Sequence, residues 1–267
     1  MLKIEDKNKI LEDGYLSAEN GFYHFDDRSA YVAVLTKMPN ATVEMIDWWF
    51  WWQAKESLRY RIWYPEMHYE ISWDFGNFYN DESKTYRERL HLSKHIVTED
   101  IGTGKAKIVI KFMRPEEFGF NKDKLKKNNE GTIICAKVGD LTKKVWHTRI
   151  CHAVIKAEKG VEMRSRFWMA NKVERMDNFG QRMINAILNK SFVKRKLLPK
   201  NLGKHMFIIV HKSIIIWEIF YQKYIKKKPV ANRYNLIAGL TAYGVQAGLG
   251  LVFAFLVPNQ SQTVVLY

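Results

Sequence analysis

The stretch CHAVIKAEKGVEMRSRFW, residues 151–168, decides the fold because it has the pattern of two β-strands joined by a tight turn. Lys159-Gly160 supplies the turn chemistry between the two runs. KIVIKF, residues 107–112, alternates charged and apolar residues at a period of two. Asp26-Asp27 before SAYVAVLT repeats the sequence of turn and apolar run. Residues 1 to about 170 therefore predict a series of strands and hairpins.

Two segments interrupt or follow this strand pattern. Thr42 begins a stretch in which Ile46, Trp49, Phe50 and Gln53 have helical spacing, and Pro65 ends it, so we predict an amphipathic helix over Thr42–Trp63. After residue 180, NFGQRMINAILNKSF and HMFIIVHKSIIIWEIFYQKYI also predict helices. Strands followed by helices are typical of an α+β domain.

The basic character of the chain is concentrated near its C-terminus. From Lys190 to Arg233 there are twelve Lys or Arg and one acid, Glu218, which accounts for +11 of the formal net charge of +15. The rest of the 267-residue chain is close to neutral. A charge confined to one segment does not indicate a nucleic-acid-binding fold.

A stretch without charge follows this basic segment. Residues 236–257 contain no charged side chain, and about 20 apolar residues suffice to cross a bilayer as a helix. Lys226, Lys227, Lys228 and Arg233 precede the stretch, which predicts a cytoplasmic N-terminal domain anchored by a transmembrane helix. A C-terminal helix buried in a soluble protein is the alternative. We predict a domain at 1–228 and a basic linker with the span at 229–267.

Cysteine usage and the N-terminus agree with a cytoplasmic domain. Cys135 and Cys151 are the only cysteines and lie in predicted strands, so a disulfide framework is not expected. The first residues, MLKIEDKNKILEDGYL, contain no apolar core of a secretory signal.

The common nucleotide-binding and hydrolase motifs are absent from the sequence. Instead, His and acidic residues occur beside aromatic-rich sequence: His68 in WYPEMH, Glu99 in HIVTEDIG and His152 in RICHAVIKAE. Taken alone, such residues are more often surface groups or satisfied core groups than site residues.

A family resemblance gives these residues more weight. MPNATVEMIDWWFWWQAKESLRYRIWYPEMH, residues 38–68, resembles the signature of the diacetylphloroglucinol hydrolase and phloretin hydrolase family. VTEDIGTG, RPEEFGF and CHAVIKAEKGVEMRSRFWM continue the resemblance in the same order. It implies a Bet v 1-like (START-like) helix-grip fold, in which a curved antiparallel sheet wraps a long C-terminal helix around a cavity.

The resemblance also implies a zinc ion bound by two His and two Glu. By motif, the metal ligands fall on His68, Glu99 and His152, whereas the second Glu position, four residues after His152, is Lys156. A lysine ammonium cannot bind zinc, so Lys156→Glu is expected to raise zinc affinity. Gln53 stands where the family usually has His. Two His and one Glu still form a known catalytic zinc arrangement, and the alternative is a catalytically altered or inactive ligand-binding protein tethered to a membrane.

The activity implied by the resemblance is hydrolysis of the carbon–carbon bond between an acyl group and a phloroglucinol-type ring. Tyr60 is the candidate catalytic residue, as a hydrogen-bond donor to a small phenolic ketone substrate. Trp48, Trp49, Trp51 and Trp52 offer an apolar wall or, for most of them, core packing. Arg164 and Arg166 share one sheet face and are expected to form structural ion pairs. A third class of function is a membrane-surface interaction protein.

Overall fold

The computed structural model describes residues 1–74, 79–102, 104–127, 131–177 and 180–220, without the side chains of 126–127 and 213–220. The chain divides into two compact units, Met1–Ile219 and Phe220–Tyr267. The predicted linker and span, residues 229–267, lie entirely outside the described residues. None of the helices in the described ranges is both long enough and apolar enough to cross a membrane.

An eight-stranded antiparallel sheet forms the centre of the first unit, with strand order β1-β2-β8-β7-β6-β5-β4-β3. The strands are β1 (Gly21–His24), β2 (Ala30–Met38), β3 (His68–Asp74), β4 (Lys94–Asp100), β5 (Lys105–Met113), β6 (Thr132–Asp140), β7 (Val145–Lys156) and β8 (Val161–Arg175). The quoted hairpin is the pair β7–β8, and both of its strands are longer than any other in the sheet.

The turn between β7 and β8 depends on glycine. Gly160 has φ of +71°, and a Cβ atom there would lie 2.1 Å from the carbonyl oxygen of Met38. A side chain at this position would therefore clash with the end of β2, which pairs with β8.

The helices lie between and after the strands: α1 (Val43–Trp52), α2 (Ser57–Trp63), α3 (Tyr86–Leu90), α4 (Pro115–Phe118), α5 (Lys122–Lys127), α6 (Gln181–Leu188), α7 (Ser191–Leu197) and α8 (Leu202–Phe220). A 3₁₀-helix spans Ile4–Leu11, and a 3₁₀ turn spans Gln53–Lys55. The observed α+β architecture, with a curved antiparallel sheet followed by a long helix, confirms the coarse fold prediction.

The prediction of one continuous amphipathic helix over Thr42–Trp63 is wrong. Glu56 is extended, with φ −152° and ψ 143°, and separates α1 from α2. The Ser57 hydroxyl accepts a hydrogen bond from the backbone amide of Ile71 at 3.1 Å and lies 3.3 Å from the carbonyl oxygen of Ile71. These contacts hold the start of α2 against β3. In addition, every residue from Ile46 to Trp52 is buried, so α1 has no polar face.

The two faces of the sheet have different roles because side chains alternate along a strand. In β7, Thr148, Ile150 and His152 face a cavity, whereas Cys151 and Ala153 belong to a buried cluster on the opposite face. The N-terminal segment covers that second face, where Leu2 and Ile10 join the cluster. This arrangement leaves the first face available for a ligand.

Arg164 and Arg166 confirm the predicted structural ion pairs on the covered face. Both guanidinium groups pair with the carboxylate of Glu19, and all three residues are buried. Arg164 also donates to the carbonyl oxygen of Ile10 at 2.7 Å. The triad therefore fixes the N-terminal segment to β8.

Candidate functional site

The candidate site is the cavity between the inner face of the sheet and α8, with a volume of about 180 Å³. Met206, Ile209 and Val210 of α8 form part of its wall. Most of the remaining wall is apolar, and a smaller polar group consists of Gln53, Tyr60, His68, His95, Glu99, Asp100, His147, Thr148 and His152. A mostly apolar cavity with few polar groups is typical of a small-molecule site.

Three of these polar residues form a compact cluster at the junction of β3 and β4. His68 and Glu99 are directly opposite each other in the two strands, and their Nε2 and Oε2 atoms are 4.0 Å apart. The hydroxyl of Tyr60, in the middle of α2, donates to Glu99 Oε2 at 2.6 Å. The Tyr60 ring also stacks on His68, with ring centroids 4.0 Å apart and 7° between the planes. We refer to His68, Glu99 and Tyr60 as the cluster.

Burial changes the protonation of the cluster. It lowers the pKa of His68 to about 4, so the imidazole is neutral near pH 7. Burial raises the pKa of Glu99, and the hydrogen bond from Tyr60 opposes part of that increase. Burial and the neighbouring Glu99 carboxylate raise the pKa of Tyr60, so its hydroxyl keeps its proton.

The donor chemistry of His68 and Glu99 fits a metal ion. His68 Nδ1 lies 3.2 Å from the backbone carbonyl oxygen of Tyr60, so a neutral ring donates there and presents the Nε2 lone pair towards Glu99. Zinc binds nitrogen and oxygen at about 2.0–2.2 Å, so two ligand atoms of one ion are at most about 4.3 Å apart. The observed 4.0 Å lies within that limit.

His152 lines the same cavity but does not join the cluster. Its Nδ1 is 2.8 Å from Ser165 Oγ. Glu99 is paired with Ala106, near the start of β5. The partner of His152 in β6 is Ile134, which is next to Cys135, and Cys135 pairs with Met113 at the end of β5. Glu99 and His152 are therefore level with opposite ends of β5.

Aromatic rings lie between His152 and the cluster. The ring of Phe50 contacts His152 at 5.3 Å and Trp63 at 5.5 Å, and Trp63 contacts His68 at 5.4 Å. Among the described residues, no group of three or more His, Cys, Asp or Glu side chains could hold a metal ion. The structure thus brings together two of the three predicted metal ligands and leaves His152 apart.

Of the two roles expected for the four tryptophans of α1, core packing applies to all of them and none forms a cavity wall. All four are buried and do not line the cavity: Trp48, Trp49, Trp51 and Trp52. The rings of Trp48 and Trp49 pack against Trp52, and Trp51 packs on Tyr79. Phe50 and Trp63 line the cavity in their place. Because α1 is buried on all sides, its helical periodicity in the sequence could not show which face meets the cavity.

The two departures from the family pattern lie in different surroundings. Lys156 is exposed at the end of β7, opposite Val161, and does not line the cavity, so restoring a carboxylate there no longer predicts higher zinc affinity. Gln53 lines the cavity and is 2% exposed. Its Oε1 atom has no hydrogen-bond partner within the described part of the chain. Gln53 is therefore the departure that can affect a bound ligand.

The part of the chain that forms the cavity also matches a known protein family. The profile of the DAPG hydrolase PhiG domain matches residues 2–213, which include the whole cavity wall. The chain belongs to the DAPG hydrolase family. Phloretin hydrolase of Eubacterium ramulus is 29% identical over 205 residues, covering 75% of this chain and 73% of that protein. The 2,4-diacetylphloroglucinol hydrolase of Pseudomonas protegens is 29% identical over 167 residues, covering 62% of this chain. This chain spans little more than half of that enzyme, 54% of its length.

Comparison with solved structures finds distant similarities for this member of the DAPG hydrolase family. Ara h 8.0201 has a TM-score of 0.33 and 8% identity, covering 72% of this chain and 99% of the other. Norcoclaurine synthase from Thalictrum flavum, in complex with dopamine and hydroxybenzaldehyde, has a TM-score of 0.35 and 10% identity, covering 76% and 96%. Similarities of this size carry no argument about the site.

Proposed function

We propose that this protein hydrolyses the carbon–carbon bond between an acyl group and a phenolic ring, and that the cluster is the reaction centre. The observation that carries the proposal is the arrangement of a neutral imidazole, a carboxylate and a protonated tyrosine at one end of an apolar cavity. Hydrolases of phloretin and of 2,4-diacetylphloroglucinol are among its relatives, which supports a substrate of that class.

The proposed reaction adds water across the aryl–acyl bond. The oxygen of water bonds to the acyl carbon, the aryl–acyl bond breaks, and its electron pair remains on the ring carbon, which takes up a proton. The products are a carboxylic acid and the phenol without its acyl group. A zinc ion bound by His68 and Glu99 would supply a Lewis acid for the carbonyl oxygen and for water.

The residues of the chain have distinct roles in this proposal. His68 is held in one tautomer by the Tyr60 carbonyl oxygen, and Glu99 is oriented by the Tyr60 hydroxyl. Tyr60 directs its proton to Glu99 in the structure, so we assign it first to orienting the carboxylate and holding a proton at the reaction centre. The surrounding aromatic wall excludes water from the ring carbon.

The test is incubation of the purified full-length protein with 2,4-diacetylphloroglucinol or phloretin, followed by mass spectrometry of the products. We expect a carboxylic acid and a deacylated phenol, formed by the wild type and not by Glu99→Gln. Binding of either compound without any product would favour the alternative of a ligand-binding protein, for which the altered position Gln53 in the cavity is the specific observation. If the protein neither binds nor cleaves these compounds, the proposal is overturned.

Zinc content tests the metal assignment independently of turnover. Elemental analysis after equilibration with zinc should show about one ion per chain in the wild type and a loss in His68→Ala. We expect His152→Ala to retain zinc, because the structure separates that ring from the cluster. Loss of zinc in His152→Ala would show that His152 does bind the ion. Absence of zinc from the wild type would remove the metal from the proposal.

A further inference from the structure

A continuous segment after the sheet exposes large apolar side chains. α6, α7 and α8 carry five of the ten exposed large hydrophobic residues that the structure describes, which are Met183, Ile187, Phe192, Leu197 and Ile208. Met183 is 68% exposed and Phe192 is 60% exposed. Isolated exposed apolar residues are common, but a concentration of them in one segment marks an interaction surface.

The same segment is basic. Its exposed cations are Arg182, Lys190, Arg195, Lys196, Lys200 and Lys204. No Asp or Glu occurs between residues 181 and 204. We call these exposed apolar and basic side chains of 182–208 the helical face.

Contacts on the inner side of α6 and α7 hold the helical face outward. Asn185 in α6 and Asn189, which caps its C-terminus one turn later, accept hydrogen bonds from backbone amides of β8 at 2.8 and 2.9 Å. In α7, the buried Lys194 pairs with Asp27 at 3.0 Å. Residues two positions from these anchors point to the other side of a helix, which explains the exposure of Ile187 and Phe192.

We propose that the helical face binds the surface of an anionic lipid membrane. An amphipathic helix with basic and large apolar residues lies in the membrane interface, where lysines contact anionic headgroups and apolar side chains enter the acyl boundary. Charge complementarity selects this occupant, since a second copy would bring the same positive charge against it. A nucleic acid would satisfy the lysines and leave Ile187 and Phe192 in water.

The position of the helical face relative to the cavity gives this binding a function. Ile208 of α8 is exposed on the helical face, whereas the next residue, Ile209, lines the cavity. A membrane-bound helical face therefore places one wall of the cavity beside the lipid, where apolar small molecules concentrate. The binding proposal itself does not depend on the proposed hydrolase activity.

Vesicle sedimentation of the full-length protein tests the proposal. Vesicles of phosphatidylcholine with about one third phosphatidylserine should bind the protein, and phosphatidylcholine alone should bind it more weakly, because surface charge adds to the attraction. The triple variant Lys190→Glu/Lys196→Glu/Lys200→Glu should lose at least tenfold in partitioning. The charge-matched control Lys107→Glu/Lys122→Glu/Lys159→Glu, at exposed lysines elsewhere, should keep most of it. Equal effects of the two triples would overturn the proposal.

A fluorescent label separates the helical face from the remainder of the chain. Cys135 and Cys151 are buried, so an environment-sensitive thiol dye should react selectively with a new exposed cysteine, Ile187→Cys or, as the control, Lys107→Cys. We expect a blue shift for the label at 187, and none at 107, when anionic vesicles are added. Vesicle binding without a shift at 187 would show that another segment binds the lipid. A shift already present without vesicles would show that the protein itself covers the helical face, and would equally overturn the proposal.

Discussion

At the scale of single residues, the Tyr60 hydroxyl is the group on which the geometry of the cluster depends. It donates to Glu99 at 2.6 Å, while its ring stacks on His68. We predict that Tyr60→Phe, which keeps the ring and removes the hydroxyl, lowers kcat by about 10–100-fold, because Glu99, the proposed metal ligand, loses the hydrogen bond that orients it. Steady-state kinetics with 2,4-diacetylphloroglucinol measure this effect.

The control for this prediction is Tyr31→Phe. Tyr31 is a buried tyrosine in the hydrophobic core on the opposite face of the sheet from the cavity, so the change should leave kcat within about twofold. Activity of Tyr60→Phe equal to that of the wild type would show that the hydroxyl has no role in the reaction.

Gln53 is the second residue whose chemistry is open to test. A buried carbonyl oxygen without a hydrogen bond costs about 1–3 kcal/mol, and a phenolic hydroxyl of the substrate could donate to it. We predict that Gln53→Met, similar in size and without the polar group, raises KM about 3–10-fold and does not lower the thermal midpoint. Gln53→Asn, which keeps the amide, is the matched comparison and should preserve more of the affinity. An unchanged KM in Gln53→Met would mean that the substrate does not reach this oxygen.

The site was partly visible in the sequence at this scale. His68, Glu99 and Tyr60 could be assigned by motif, and the structure brings them together because β3 and β4 pair in the register that sets His68 opposite Glu99. His152 was predicted by motif as a third metal ligand, but the sequence does not give its distance from Glu99. That distance depends on the register of three strand pairs, which local periodicity does not contain.

At the scale of elements, the alternation that predicted β7 and β8 is a local property, and the structure has both strands. The break between α1 and α2 was not predictable in the same way. It depends on the contact of Ser57 with Ile71, two residues separated by the whole of α2 and the turn that follows. The burial of α1 on all sides likewise depends on its neighbours, which explains why a helical spacing of apolar residues indicated an amphipathic helix that is not there.

The ion triad that joins the N-terminal segment to β8 gives a prediction at this scale. Burial alone would raise the pKa of Glu19, but the hydrogen bonds from Arg164, Leu16 and Arg166 lower it overall, so the carboxylate is charged. Glu19→Gln should reduce the free energy of unfolding by about 3–5 kcal/mol, because two buried guanidinium groups lose their counter-ion. Denaturant unfolding of the variant measures the loss.

The matched control is Glu12→Gln, which breaks the exposed pair with Lys124 and should cost at most about 1 kcal/mol. A loss in Glu19→Gln as small as in this control would show that the triad does not hold the N-terminal segment in place.

At the scale of the whole molecule, the cavity wall contains histidines that stay neutral below pH 6.5 because they are buried. Burial lowers the pKa of His95 to about 3 and that of His147 to about 4, against about 6.5 in the unfolded chain. Between those values the unfolded chain binds more protons than the folded one. The stability these groups contribute is therefore full above pH 6.5 and falls as the pH decreases towards 4.

We predict that the free energy of unfolding decreases from pH 6.5 to pH 5, by at most about 1.4 kcal/mol per pH unit for each such histidine. Ordinary carboxylates titrate below this window, and the buried Glu99 and Asp47, whose pKa values burial raises, oppose the decrease equally in the wild type and in a histidine variant. His95→Gln should make the decrease less steep than in the wild type, because one of the buried neutral rings is removed. Denaturant unfolding at several pH values measures the slopes. Equal slopes in His95→Gln and the wild type would mean that His95 takes up its proton equally in the folded and unfolded protein, and thus that water reaches this part of the cavity wall.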